Sequence, residues 1–248
     1  METVKQKEKA YHNKAFSEGT RKLLDKYYQT TKRSSAFYRE FLLAKSKGGG
    51  VLEYGCGPGS QAFLLAQHAA KVTGIDISEV AIEQAAQQAK NERLENTSFL
   101  VMDAESLDFK NNSFDLICGS AILHHLNLDR AFAEIARTLK AEGVAIFWEA
   151  LGHNPIINLY RKLTPHLRTE DEHPLLIRDI KKAERYFGKV EIRFFHLLAL
   201  AAAPFHRLAR FRLVLNFFNG LDRLLFKLFP FLKKYAWVTV IVLSQPEK

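Results

Sequence analysis

Between residues 50 and 150 the apolar positions alternate between two periods. VLEYG (51–55), KVTGIDI (71–77), TSFLVMDA (97–104), SFDLICGSA (113–121) and VAIFWEA (144–150) are short, largely apolar runs, and they predict strands. Between them QAFLLAQHA (61–69), EVAIEQAAQQAKNE (79–92) and DRAFAEIARTLK (129–140) carry helical spacing. Strand–helix alternation with mostly apolar strands predicts an α/β fold built on a doubly wound, largely parallel sheet. Upstream, Leu23, Leu24, Tyr27, Tyr28, Phe37, Phe41 and Leu42 predict one or two amphipathic helices within 16–45, ended by the glycines at 48–50.

Beyond residue 150 the pattern loosens. LGHNPIINLYRKLTPHLRTEDEHP reads as a long loop holding a short helix. Asp179 is placed to cap a helix, IKKAERYF, that Gly188 would stop. KVEIRFFHL (189–197) and YAWVTVIVLSQ (235–245) read as two further strands. Between them lie two apolar stripes, Leu208, Phe211, Leu215 and Phe218, then Leu221, Leu224, Leu225, Leu228 and Leu232, with Asp222, Arg223 and Lys227 off the second stripe. From 201 to 235 there are seven Lys or Arg and one acid, Asp222. Such a segment suits an anionic membrane interface, a lid over a greasy substrate, or a helical hairpin packed on the domain or on a second subunit.

The chemistry concentrates at the carboxyl ends of the predicted strands. Gly55, Gly57 and Gly59 stand between a strand and a helix, where backbone amides and a helix N-terminus approach a ligand. A dinucleotide fingerprint would place its third glycine at 60, where the chain has Ser60. Glu53 would repel a pyrophosphate and suits a ligand carrying positive charge. Asp76 ends the second strand, where a carboxylate accepts both hydroxyls of a ribose. Asp103, followed by Ala104, ends the third and places an acceptor near the exocyclic amine of an adenine.

With these pieces in this order the chain resembles the class I S-adenosylmethionine-dependent methyltransferases, over about residues 50–150. The matching motifs are EYGCGPG, GIDIS with Asp76 and Ile77, MDAESL with Asp103, and FDLICGSAILHHL with Ser120. The resemblance implies a Rossmann-like seven-stranded sheet with an antiparallel last strand and S-adenosylmethionine as cofactor. It also makes 1–47 a helical cap, 48–248 the methyltransferase domain, 151–175 a substrate loop and 201–234 an inserted amphipathic segment. It is broadest toward small-molecule enzymes such as the menaquinone and ubiquinone C-methyltransferases. In similar enzymes N-terminal helices close over the methionine moiety, a role that would fall here to Tyr27, Tyr28 and Arg33.

Candidate bases follow from position. His124 and His125 come after the fourth strand and Glu149 ends the fifth, all at the edge where open α/β sheets bind ligands. Each also has an ordinary reading, as a satisfied histidine at a helix start or a capping carboxylate. His153 and Tyr160 would line a substrate pocket or simply pack the loop, and Glu170 to His173 read as a solvated run.

The formal charge of +9 suggests an anionic partner. Nucleic-acid acceptors fit poorly: the place of an Asn/Asp-Pro-Pro-aromatic motif reads GSAI, and neither Cys56 nor Cys118 is placed as a nucleophile. Two cysteines make neither a disulfide scaffold nor a thiolate cluster, and no spacing suggests a metal. The N-terminus has no secretory pattern and the chain no long uncharged apolar run, so a cytoplasmic protein, peripheral at the membrane, is expected. The reading is thus a methyltransferase for a lipophilic or membrane-associated small molecule. Its alternatives are a methyltransferase for a soluble molecule or sugar, with C-terminal helices forming a homodimer, and a non-catalytic cofactor-binding module.

Overall fold

The computed structural model describes residues 4–18, 29–59, 61–163, 174–205, 208 and 210–247. Leu23, Leu24, Tyr27, Tyr28, Ser60, Glu170 to His173 and Arg207 lie outside these residues. So does the side chain of Tyr160.

Seven strands form one sheet: β1 (Gly50–Tyr54), β2 (Lys71–Asp76), β3 (Thr97–Val101), β4 (Phe114–Ser120), β5 (Leu139–Ala150), β6 (Phe187–Phe195) and β7 (Val238–Pro246). Their order is β3-β2-β1-β4-β5-β7-β6, and β7 alone runs opposite to the other six strands. The order reverses between β1 and β4, so a crevice opens there at the carboxyl ends of the strands. This is the expected seven-stranded, Rossmann-like sheet with an antiparallel last strand.

Side chains alternate across the sheet, as the strand period requires. Leu52 and Tyr54 of β1 join a core with Ile75, Phe132, Ile135 and Phe147, under α5 (Leu128–Thr138). Val51 joins the opposite core with Val72, Leu116, Ile146 and Val240, under α2 (Lys32–Lys45) and α3 (Ala62–Ala66). Helix α4 (Glu79–Asn91) buries Ala81, Ala85 and Ala89 and is capped by Ser78, whose Oγ accepts the Ala81 amide at 3.1 Å.

Several predicted boundaries move. The charged N-terminus, which lies in the 1–47 cap but carries no helical apolar spacing before residue 16, forms α1 (Val4–Glu18). Helix α5 stops at Thr138 and β5 begins at Leu139, with a register shift before Leu116 pairs Val144. Helix α6 (Pro155–Leu163) is the short helix expected in the long loop. Asp179 caps α7 (Ile177–Ile180) from its third position, its Oδ2 accepting the Leu176 amide at 3.0 Å. Gly188 stops no helix, because β6 already begins at Phe187. The last strand starts three residues later than predicted, since Tyr235 closes a 3₁₀ turn (Pro230–Tyr235).

Most of the expected pair of C-terminal stripes falls on a single helix, α8 (Phe211–Leu228), with Leu208 before it and Leu232 in the turn after it. Its buried face is Phe211, Leu215, Asn219, Asp222 and Phe226, whereas Leu224 and Leu228 of the predicted leucine stripe point outward. The buried face includes the acid because Asp222 accepts the amides of Leu197, Leu198 and Ala199 at 2.7–3.3 Å, capping the turn that follows β6. No helix among the described residues is long and apolar enough to cross a membrane.

Candidate active site

The glycine-rich turn needs its glycines for two different reasons. Gly57 and Gly59 have φ of +51° and +98°, conformations that side chains rarely adopt. Gly55 (φ +60°) also leaves no room, since a Cβ there would lie 2.8 Å from Ile122 Cδ1. Glu53, buried beneath this turn, accepts the Gln61 and Ala62 amides at 3.1 and 2.8 Å and so caps α3. Its carboxylate thereby ties the strand end to the start of α3.

Asp76 is fixed by two amides. Oδ2 accepts from Gly57 and Oδ1 from Ser78, both at 2.9 Å. One carboxylate thus ties the glycine turn to the start of α4, and each oxygen keeps acceptor capacity. Ile77 is half-buried beside it. The Met102 amide donates to the Asp76 carbonyl at 3.0 Å, which brings Asp103 to the same edge. Ala104 is buried, and Asp103 Oδ1 accepts the Glu105 amide at 2.9 Å.

The fourth and fifth strands carry a second constellation. Glu149 is fully buried, and its Oε1 accepts the Ile122 and Leu123 amides at 2.8 and 2.7 Å. Its Oε2 lies 2.8 Å from His124 Nδ1. An ionised carboxylate only accepts, so this contact places the imidazole proton on Nδ1 and makes Nε2 the basic nitrogen. His125 stacks at 4.2 Å from the His124 ring, and its Nδ1 lies 3.0 Å from Glu8 Oε1.

Helix α1 was illegible as part of the site, and it covers this edge. Lys5, Lys9 and Asn13, four residues apart, reach Asp103 and Glu105, Glu79, and Ser78. Glu8, His12 and Phe16 form the neighbouring row, meeting His125 through the first two and the open side of Gly57 through the third. The repeat at four-residue spacing was visible, but in polar residues rather than apolar ones.

Ser120 lines a cavity of about 340 Å³ with Ser35, Tyr38, Arg39, Gln61, Leu64 and Trp148. Arg39 was not singled out from sequence, because a lone exposed arginine on a helix carries no pattern. Arg33, expected over the methionine moiety, instead donates to the Asn219 carbonyl of α8 at 3.1 Å. His153 is engaged by the segment that follows the long loop, its Nε2 accepting the Ile177 amide at 3.3 Å. The thiols of Cys56 and Cys118 are buried, and burial raises the pKa of both, so neither is a ready thiolate.

Residues 52–147 match the family model described as a methyltransferase domain. Uncharacterized protein MJ1252 of Methanocaldococcus jannaschii is 39% identical over 128 residues, 51% of this chain and 47% of that protein. Ubiquinone biosynthesis O-methyltransferase of Coxiella burnetii is 32% identical over 114 residues, 46% of this chain and 48% of that protein. The aligned region spans about half the length of these relatives or less. Among solved structures, a chain from the complex of the Haloferax volcanii Trm112 methyltransferase activator with a methyltransferase superposes with a TM-score of 0.65. It is 17% identical, over 95% of this chain and 98% of that one. Residues 52–147, with the glycine turn, the anchored Asp76 and the 3-2-1-4-5-7-6 sheet, are thus similar in sequence and fold to the class I S-adenosylmethionine-dependent methyltransferase domains.

Proposed function

We propose that the chain transfers the methyl group of S-adenosylmethionine to a lipophilic or membrane-associated small molecule. The edge residues suit the cofactor: Asp76 for the ribose, Asp103 beside Ala104 for the adenine, and Arg39 near Ser120 for the amino-acid carboxylate. When bound, that group supplies an electrophilic methyl on a sulfonium, already a good leaving group, so the protein's task is mainly positioning. His124 takes the acceptor's proton at Nε2, while Glu149 is a positioning residue that holds the ring and stabilises the imidazolium. Helix α1, laid over the glycine turn, limits water at the edge.

The observation that carries the acceptor class is the outward row Leu213, Phe217, Leu224 and Leu228 on α8, each more than half exposed. Labelled-methyl transfer tests the whole reading. Incubation with S-adenosylmethionine and fractionated cell extract should put label into the organic-soluble fraction, and His124→Asn should remove it. Label confined to water-soluble products would refute the lipophilic acceptor. The same row would also serve a homodimer, which sedimentation without lipid would reveal.

A further inference from the structure

A second cavity, of about 670 Å³, opens between α2, β6 and α8. Four strand spacings, about 19 Å of sheet, separate β6 from β1, so this is not the cofactor crevice. Five cations line it, Arg33 from α2, Arg193 from β6, Arg223 and Lys227 from α8, and Lys233 from the following turn, against one acid, Glu40. Among the described residues none of the five is ion-paired, although Lys5, Lys9, Arg137, Lys140, Lys182 and Lys189 all are. Aromatic rings back them: the Arg193 guanidinium lies 4.7 Å from the Phe37 centroid and that of Arg33 lies 5.8 Å from Phe195. Burial lowers the Arg33 pKa, and the neighbouring Arg223 lowers it further, against Asp222. Like charges held this close would be relieved by an anion between them.

The outer rim has a complementary apolar character. Arg223 and Lys227 each precede an exposed leucine, Leu224 and Leu228, so the cations flank the outward row of α8 along one side. Phe229 and Phe231, 45% and 65% exposed, extend that surface past the helix end. Cations beside a greasy row match a ligand that is anionic at one end and apolar at the other.

We propose that this cavity is a headgroup site, in which Arg223, Lys227, Lys233 and Arg193 receive the phosphate of an anionic phospholipid while α8 lies on the bilayer surface. Its choice of a lipid rests on the lipophilic-acceptor reading, and it rests on nothing about the methyl donor. Vesicle flotation of the full chain, without S-adenosylmethionine, tests it. The chain should float with phosphatidylcholine mixed with phosphatidylglycerol, stay down with phosphatidylcholine alone, and lose flotation as salt rises. The double variant Arg223→Glu, Lys227→Glu should weaken vesicle binding about 25-fold or more, at about five-fold per cation lost. Both positions are exposed, so an unchanged thermal melt and unchanged S-adenosylmethionine binding would show that the fold is intact. Leu213→Ser with Phe217→Ser should weaken flotation too, yet leave calorimetric binding of inorganic pyrophosphate untouched. Pyrophosphate binding without flotation would overturn the lipid and leave a soluble phosphorylated ligand. Flotation unaffected by the double variant, or binding of neither probe, would overturn the site.

Discussion

Glu149 holds the His124 ring from beneath, its Oε2 2.8 Å from Nδ1 while Oε1 takes two amides of the same turn. One buried carboxylate therefore sets both the turn's backbone and the imidazole's tautomer. Glu149→Gln keeps the shape but removes the charge that stabilises an imidazolium. Steady-state methyl transfer should show kcat falling by about 10²- to 10⁴-fold with KM nearly constant. His124→Asn should lose as much, and the double variant little more, because the two act as one unit. A fall in KM-side binding alone would contradict the assignment.

Asp76 and Gly57 make a second test. Asp76→Ala removes the acceptor for the Gly57 and Ser78 amides, two charge-assisted bonds worth about 1.5 kcal/mol or more each. Calorimetric affinity for S-adenosylmethionine should drop about 100-fold or more. Gly57→Ala should cost about 1–2 kcal/mol of strain at its positive φ and also crowd Phe16. Unchanged affinity in Asp76→Ala would remove the cofactor from this edge.

Burying Asp222 is tolerable only while the amides of Leu197, Leu198 and Ala199 point at it. Asp222→Ala should lower unfolding free energy by about 1–3 kcal/mol, seen as a lower urea midpoint, by orphaning those donors. Arg223→Ala, one residue on but exposed, should leave the midpoint nearly unchanged.

His196 predicts a pH dependence. It is almost fully buried, and burial, then the Arg33 guanidinium, pushes its pKa from 6.5 down to about 3. Above the unfolded value the ring is neutral in both states, and its contribution to stability is complete. As pH falls from about 6.5 toward 3, only the unfolded chain takes the proton, so stability declines by up to about 1.4 kcal/mol per unit. Urea midpoints at roughly pH 7.5 and pH 5 should differ less in His196→Asn, a residue that also tolerates the φ of +63°. An equal slope in both proteins would exclude His196 as the source.

The strands, the glycine turn and both aspartates were legible because each depends on neighbours in the chain. Apolar runs bury on both faces of a sheet, glycine permits a positive φ, and a residue at a strand end lies at the sheet edge wherever the sheet is built. What the tertiary structure decided were the partners. Glu53 reads as a ligand-facing acid in the sequence and Asp222 as one lying off the apolar stripe, yet both are buried on backbone amides, those of Gln61 and Ala62 for Glu53 and those of Leu197 to Ala199 for Asp222. Helix α1 had no apolar stripe to announce it, since it docks through Lys5, Glu8 and Lys9 on carboxylates and a histidine far away in the chain. The leucine stripe of α8 was correctly periodic, yet periodicity gives only the angle between faces. Which face turns inward was set by Asp222 and Phe226 meeting the end of β6, a contact between segments that no local pattern records.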